Sequence, residues 1–177
     1  MDMLGVAVVP VEATRFVDVV EDGDSFAANA RKKAEAFCSA NHQPALADDS
    51  GLCVDALDGA PGIFSSRFAG EAASDADNNT KLLAELKEKE KRTARFICAL
   101  HLAFPEEEPP ICCEGQVDGM ILDHAEGQKG FGYDPLFFCP ELGKTFAAAT
   151  PEEKARVSHR GRALRLLAEE LKRRLDS

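Results

Sequence analysis

Thr93-Ala94-Arg95-Phe96-Ile97-Cys98-Ala99-Leu100-His101-Leu102-Ala103-Phe104 is the stretch from which the fold can be read. Ala94, Phe96, Cys98, Leu100, Leu102 and Phe104 occupy every second position, the two-residue period of a strand with one buried face. Pro105 has no N–H to give to a ladder and ends it. Gln116 to Leu122 reads as the partner strand, reached through the loop Pro105 to Pro110 in an antiparallel hairpin. Outward from this pair the pattern turns helical. Phe26, Ala30, Ala34 and Phe37 recur at helical spacing behind Ser25 or Asp24 as N-cap. Asp77 to Lys91 carries Leu82, Leu83 and Leu86 on one side. Thr150-Pro151-Glu152-Glu153 combines a hydroxyl cap, a proline at the first helical position and a glutamate at the third. A last helix from about Ser158 buries Leu164, Leu167 and Leu171 and leaves Arg162, Arg165 and Lys172 outside. Strands and helices interleave over 177 residues without repeat or linker, so the chain is expected to form one α/β unit, residues 1–177.

Composition narrows the partners. Thirty-one acidic against twenty-one basic residues give a formal charge of −10, which argues against nucleic acid or an anionic membrane as a partner unless basic groups gather locally. No apolar run approaches the roughly 20 residues that span a bilayer. The six cysteines form no C-x-x-C pair and no signal peptide precedes them, so buried thiols in a reducing cytoplasm are expected. An acidic protein can still take a nucleotide, given a few converging Lys and Arg residues and a divalent cation.

Three places offer that chemistry. Asp48-Asp49-Ser50-Gly51 reads as a tight acidic turn at a strand end, and its two carboxylates, with Glu21 in reach, are hard oxygen ligands suited to magnesium on phosphate oxygens. One of them could activate water; the tetrapeptide is equally the composition of a plain turn that caps its own backbone. Asn29 and Lys33, four apart on the first helix, share a face that converges with Glu21. Phe131-Gly132-Tyr133-Asp134-Pro135 sets aromatic rings and a carboxylate in a glycine loop, which suits stacking a purine and accepting from its N–H, or simply a turn with core aromatics. Lys154 followed by Ser158-His159-Arg160-Gly161 gathers basic and titratable groups at a helix start, where anions are favoured.

Together with Gly59-Ala60-Pro61-Gly62-Ile63-Phe64-Ser65-Ser66-Arg67, these motifs in this order resemble the inosine triphosphate pyrophosphatase family, from about Glu21 to the last helix. The resemblance implies a long mixed, twisted sheet flanked by helices with a cleft, usually a homodimer. It implies a magnesium enzyme that cleaves inosine, xanthosine and deoxyinosine triphosphates to the monophosphate and pyrophosphate. Asp49 matches the base that orients the attacking water and touches metal, Glu21 a second metal ligand, and Lys33 and Lys154 phosphate-binding lysines, with Ser50 adding a hydroxyl contact. The segment Phe131, Gly132, Tyr133, Asp134 matches the one that holds the base, with His159 and Arg160 at the base edge. Inosine and xanthosine carry an acceptor oxygen at C6 where adenine carries an amino donor, so an arginine there favours the first two. The family opens with a strand and a Ser/Thr-x-Asn-x-x-Lys loop, and Met1 to Val9 matches the region beyond its first helix, so that opening is expected to be missing. A truncated, non-catalytic relative that binds nucleotide weakly, or serves as a dimer partner, is the alternative.

Overall fold

The computed structural model describes residues 10, 14–105 and 108–176. Met1 to Val9, on which the expectation of a missing opening falls, lie outside them. The helix predicted from Phe26 is α1 (Phe26–Asn41), and Ser25 is its cap, its hydroxyl accepting from the Ala28 N–H at 3.2 Å. After it come β1 (Ala45–Val54), α2 (Asp75–Glu85), β2 (Thr93–Ala103), β3 (Ile111–Ile121), β4 (Phe137–Cys139) and β5 (Lys144–Thr145), then α3 (Pro151–Val157) and α4 (His159–Leu175). The five strands form one sheet in sequence order. Among the described residues every pairing is antiparallel, so the mixed pairing expected of the sheet does not appear there.

Residue alternation in the strand pair decides where the helices go. Ile97, Ala99 and Ala103 of β2 face α1, meeting Phe26, Ala30, Ala34 and Cys38. Cys98, Leu100 and Leu102 face the other way and pack against Ala163, Leu167 and Leu171 of α4. Leu167 is fully buried, which stabilises by about 1.5–3 kcal/mol. The stripe therefore runs through Ala163 at four-residue spacing, and Leu164, expected inside, is exposed. Further along the α4 side lies the largest core cluster, where Phe96, Val117, Ile121, Phe137 and Phe146 meet Leu82 and Leu86. Here α2 starts two residues earlier than expected, at Asp75, because Ser74 and Asp77 form a capping box, and it ends at Glu85. The box predicted at Thr150 and Glu153 is present as read.

Two readings change. Asp48 to Gly51 is no turn: β1 runs straight through it, paired with Leu100, Ala99, Cys98 and Ile97 of β2. Gly51 is needed for space rather than for turning, since a Cβ there would come within 2.5 Å of Ser65 Oγ and 2.8 Å of the Phe26 ring. The partner strand β3 also begins earlier, at Ile111. No helix among the described residues is long and apolar enough to cross a membrane.

Candidate active site

Because Asp48 and Asp49 are consecutive in a strand, they point to opposite sides of the sheet. Asp49 turns toward α1. Its carboxylate accepts from Asn29 Nδ2 at 3.2 Å and Lys33 Nζ at 3.3 Å. The same ammonium lies 3.2 Å from Glu21. Asn29 is almost wholly buried and its oxygen accepts from the Gly23 N–H at 2.8 Å, which ties the Glu21 loop to the helix. Burial raises the Asp49 carboxyl above its ordinary value, outweighing the Lys33 charge and the hydrogen bonds from Asn29 and Lys33. A carboxylate with a raised pKa is a better proton acceptor than an ordinary one.

Asp48 turns toward α4. Its Oδ2 accepts from Arg160 Nη2 at 2.6 Å and Nε at 3.1 Å, and from the Ser50 hydroxyl at 3.0 Å. Burial opposes its charge, but the hydrogen bond and charge of Arg160 prevail and hold the carboxyl below the usual aspartate range. Glu21 and Asp49 thus converge on one cation and Asp48 is engaged elsewhere. Among the described residues no three His, Cys, Asp or Glu side chains gather in a way that would hold a metal ion.

Ser158 caps α4, its hydroxyl accepting from the Gly161 N–H at 3.2 Å, and so fixes His159 and Arg160 at the helix start. His159 is buried and stacked on Phe96, ring centroids 4.8 Å apart and planes within 13°. Burial, helped by Arg160 and Lys154, pushes it down to about 3. It is a neutral imidazole at physiological pH rather than a cation, and its Nδ1 is buried without a hydrogen-bond partner.

The aromatic loop divides its labour differently from the sequence reading. Phe131 is the exposed ring, at 62%, and Lys154 Nζ lies 4.7 Å from its centroid. Tyr133 is buried in the core, its hydroxyl donating to the Ser65 carbonyl at 2.9 Å; its phenol is pushed up by burial. Stacking is therefore open to Phe131 and closed to Tyr133. Asp134 accepts from the Phe131 N–H at 3.0 Å and pairs with Lys154, so its carboxylate pins the loop. Lys154, expected to bind phosphate, pairs with Asp134 and lies over the Phe131 ring.

All the candidate residues line one cleft of about 350 Å³: Glu21, Lys33, Asp48, Asp49, Ser50, Phe131, Gly132, Tyr133, Asp134, Lys154, His159 and Arg160. Asp75 and Asn79 were missed as supports. The Gly132 N–H donates to Asp75 at 2.6 Å and Asn79 donates to the Gly132 carbonyl at 2.9 Å, so α2 clamps the loop at a residue with φ of +60°. In sequence Asp75 falls ahead of the helix expected from Asp77, and nothing local reveals a partner 57 residues away. A larger recess of about 480 Å³ lies at the start of α1, against Gly59 to Phe64, Ile97 and Glu114. Its lining holds Asp24 and Glu114 and no Lys, Arg or His, so it offers no cation to a phosphate.

With that geometry in place, comparison with known proteins adds lineage. The model of the Ham1 family matches residues 2–170. A dITP/XTP pyrophosphatase of Listeria monocytogenes is 50% identical over 156 residues, 87% of this chain and 76% of the relative. One of Geobacter sulfurreducens is 52% identical over 158 residues, 88% and 79% of the two chains. The solved structure of the Staphylococcus aureus Ham1 protein superposes with a TM-score of 0.86 at 42% identity, covering 92% of this chain and 84% of that one.

Proposed function

The chain belongs to the Ham1 family, and from that premise we propose that it hydrolyses deaminated purine nucleoside triphosphates, ITP, XTP and dITP, to the monophosphate and pyrophosphate. The resemblance read from its motifs to inosine triphosphate pyrophosphatases agrees with relatives of about half identity named dITP/XTP pyrophosphatases. Those relatives do not favour the non-catalytic alternative. The observation that carries the proposal is the gathering in one cleft of the Asp49 carboxylate, Glu21, Lys33, the exposed Phe131 ring and Arg160.

In this reading Asp49 accepts a proton from, and orients, the water that attacks the α-phosphorus. Lys33 offers its ammonium to the phosphate chain, and Ser50, whose hydroxyl donates to Asp48, offers its contact on the side of Arg160. Phe131 stacks on the base, a face held in place by the clamp on Gly132 and backed by Lys154 and Asp134. Arg160 donates to the purine C6 oxygen beside the neutral His159. Adenine would place its amino donors against that donor, leaving both unsatisfied.

Charge supports a magnesium cofactor. Glu21, Asp48, Asp49, Asp75 and Asp134 outnumber Lys33, Lys154 and Arg160 in the cleft, so a triphosphate would enter an already negative site. Magnesium is ordinarily held by one or two carboxylates plus substrate phosphates and waters, without a full protein cage. Glu21 and Asp49, already converging on one positive charge, fit that role, and the ion would supply charge neutralisation on the phosphates. A homodimer and a cytoplasmic setting complete the proposal, the latter supported by six free cysteines; light scattering tests the former. The reaction type is tested by hydrolysis of ITP in ¹⁸O-water. The proposal expects IMP and pyrophosphate as products, whereas IDP and orthophosphate would overturn it.

A further inference from the structure

Asp48 carries the second carboxylate of the strand, yet it is spent on Arg160. Its Oδ2 takes two guanidinium donors, Nη2 at 2.6 Å and Nε at 3.1 Å, and the Ser50 hydroxyl at 3.0 Å. Arg160 Nη2 also lies 3.5 Å from Ser50 Oγ. Both partners of this anchor stand on regular elements. Asp48 stands mid-strand, paired with Leu100 of β2, and Arg160 is the second residue of α4, locked by the Ser158 cap. The guanidinium is a planar fork, so two donors held on one carboxylate fix the orientation of its remaining N–H groups.

Fixation matters more for discrimination than for attraction. A mobile arginine facing the amino group of adenine would swing away and lose little. One that is clamped keeps its donor opposed to another donor, and the mismatch stands. With the substrate oxygen present, the held fork has less rotamer freedom to lose, so the matched base also binds at a smaller ordering cost. We propose that Asp48 is a positioning residue that clamps Arg160 for reading the purine C6 oxygen, and is in that way a determinant of substrate preference rather than a metal ligand. This rests on the proposed function, since it presumes that Arg160 reads the base. The strand then separates two tasks by alternation alone, with Asp49 on the side of Lys33 and the phosphates and Asp48 on the side of the base reader.

The test is Asp48→Asn, which keeps the shape and removes the charge. The ratio of kcat/KM for ITP over ATP should fall at least tenfold, chiefly through a raised KM for ITP. The magnesium concentration for half-maximal rate should not move, and IMP should bind more weakly without any magnesium. Arg160→Lys, which keeps a charge but cannot make the fork, should lower the ratio similarly. Asp48→Asn should add nothing further on an Arg160→Ala background. An unchanged ratio accompanied by loss of turnover on both nucleotides and a raised magnesium requirement would overturn the inference and make Asp48 a metal ligand. A further drop of the same factor in the double variant would overturn it too. If wild-type protein itself shows no preference for ITP, the proposed function fails instead; if it does and Asp48→Asn keeps it, only the positioning role fails.

Discussion

Gly115 lies under the start of α4, paired with Cys98 across β2 and β3, and Gly115→Ala couples core packing to base selection. A Cβ built there would approach the backbone N of Ala163 to 2.5 Å and the His159 carbonyl oxygen more closely still. Backbone cannot rotate aside as a side chain can, and ordinary contacts begin near 3.5 Å, so the helix start must withdraw by roughly 1 Å. Overpacking of this kind costs about 1–3 kcal/mol, a sizeable share of a total stability of about 5–15 kcal/mol. For a chain of this length each kcal/mol lowers Tm by about 2–4 °C, so a fall of roughly 2–12 °C is expected. The residues displaced are His159 and Arg160, and a misplacement of 1 Å at a site can cost about a hundredfold in rate. Differential scanning fluorimetry and paired assays on ITP and ATP read both effects: Tm should drop, and selectivity for ITP should drop with it. A variant that melts with wild type and keeps its selectivity would refute the claim that this backbone contact sets the position of α4 over the sheet.

Asp49→Asn should lower turnover on ITP by about 10²–10⁴-fold with the fold intact, measured as pyrophosphate release beside a circular dichroism melt; retained turnover removes Asp49 from the role of base. Arg160→Ala should cut the ITP over ATP ratio by the equivalent of about 1–3 kcal/mol, and steady-state kinetics showing an unaltered ratio would count against base reading. His159 sets a stability slope. Its folded pKa is depressed to about 3 and its unfolded value is about 6.5, so the unfolded state binds the extra proton and stability is lost as pH falls below 6.5. The loss is about 1.4 kcal/mol per unit, or roughly 2 kcal/mol by pH 5, and urea melts of His159→Asn should lack that slope. An equal slope in both proteins would mean that the imidazole is not held neutral.

What could be read in advance was whatever depends on local period and caps. The β2 alternation, the Ser25 cap and the Thr150–Glu153 box all involve residues within a few positions of one another, and all stand in the structure. Where glycine or aspartate serves a distant contact, the local reading misled. Asp-Asp-Ser-Gly looks like a turn because those residues favour turns, whereas Gly51 is small to admit Ser65 and Phe26 and Asp48 waits for an arginine 112 residues on. In sequence Tyr133 and Phe131 look alike as rings for stacking; only the fold reveals that the Tyr133 hydroxyl reaches Ser65 while the Phe131 ring stays exposed. Leu164 and Ala163 exchange places because the phase of a helical stripe is set by what it packs on, and the hydrophobicity of single residues does not fix it.

The most direct test of the account is pyrophosphate release by this protein from ITP, dITP, XTP and ATP, side by side, with magnesium and with a chelator. Turnover of the first three is expected at least about tenfold above ATP, with loss of all turnover on chelation. Equal rates on ATP and ITP, or undiminished rates without a divalent cation, would contradict it.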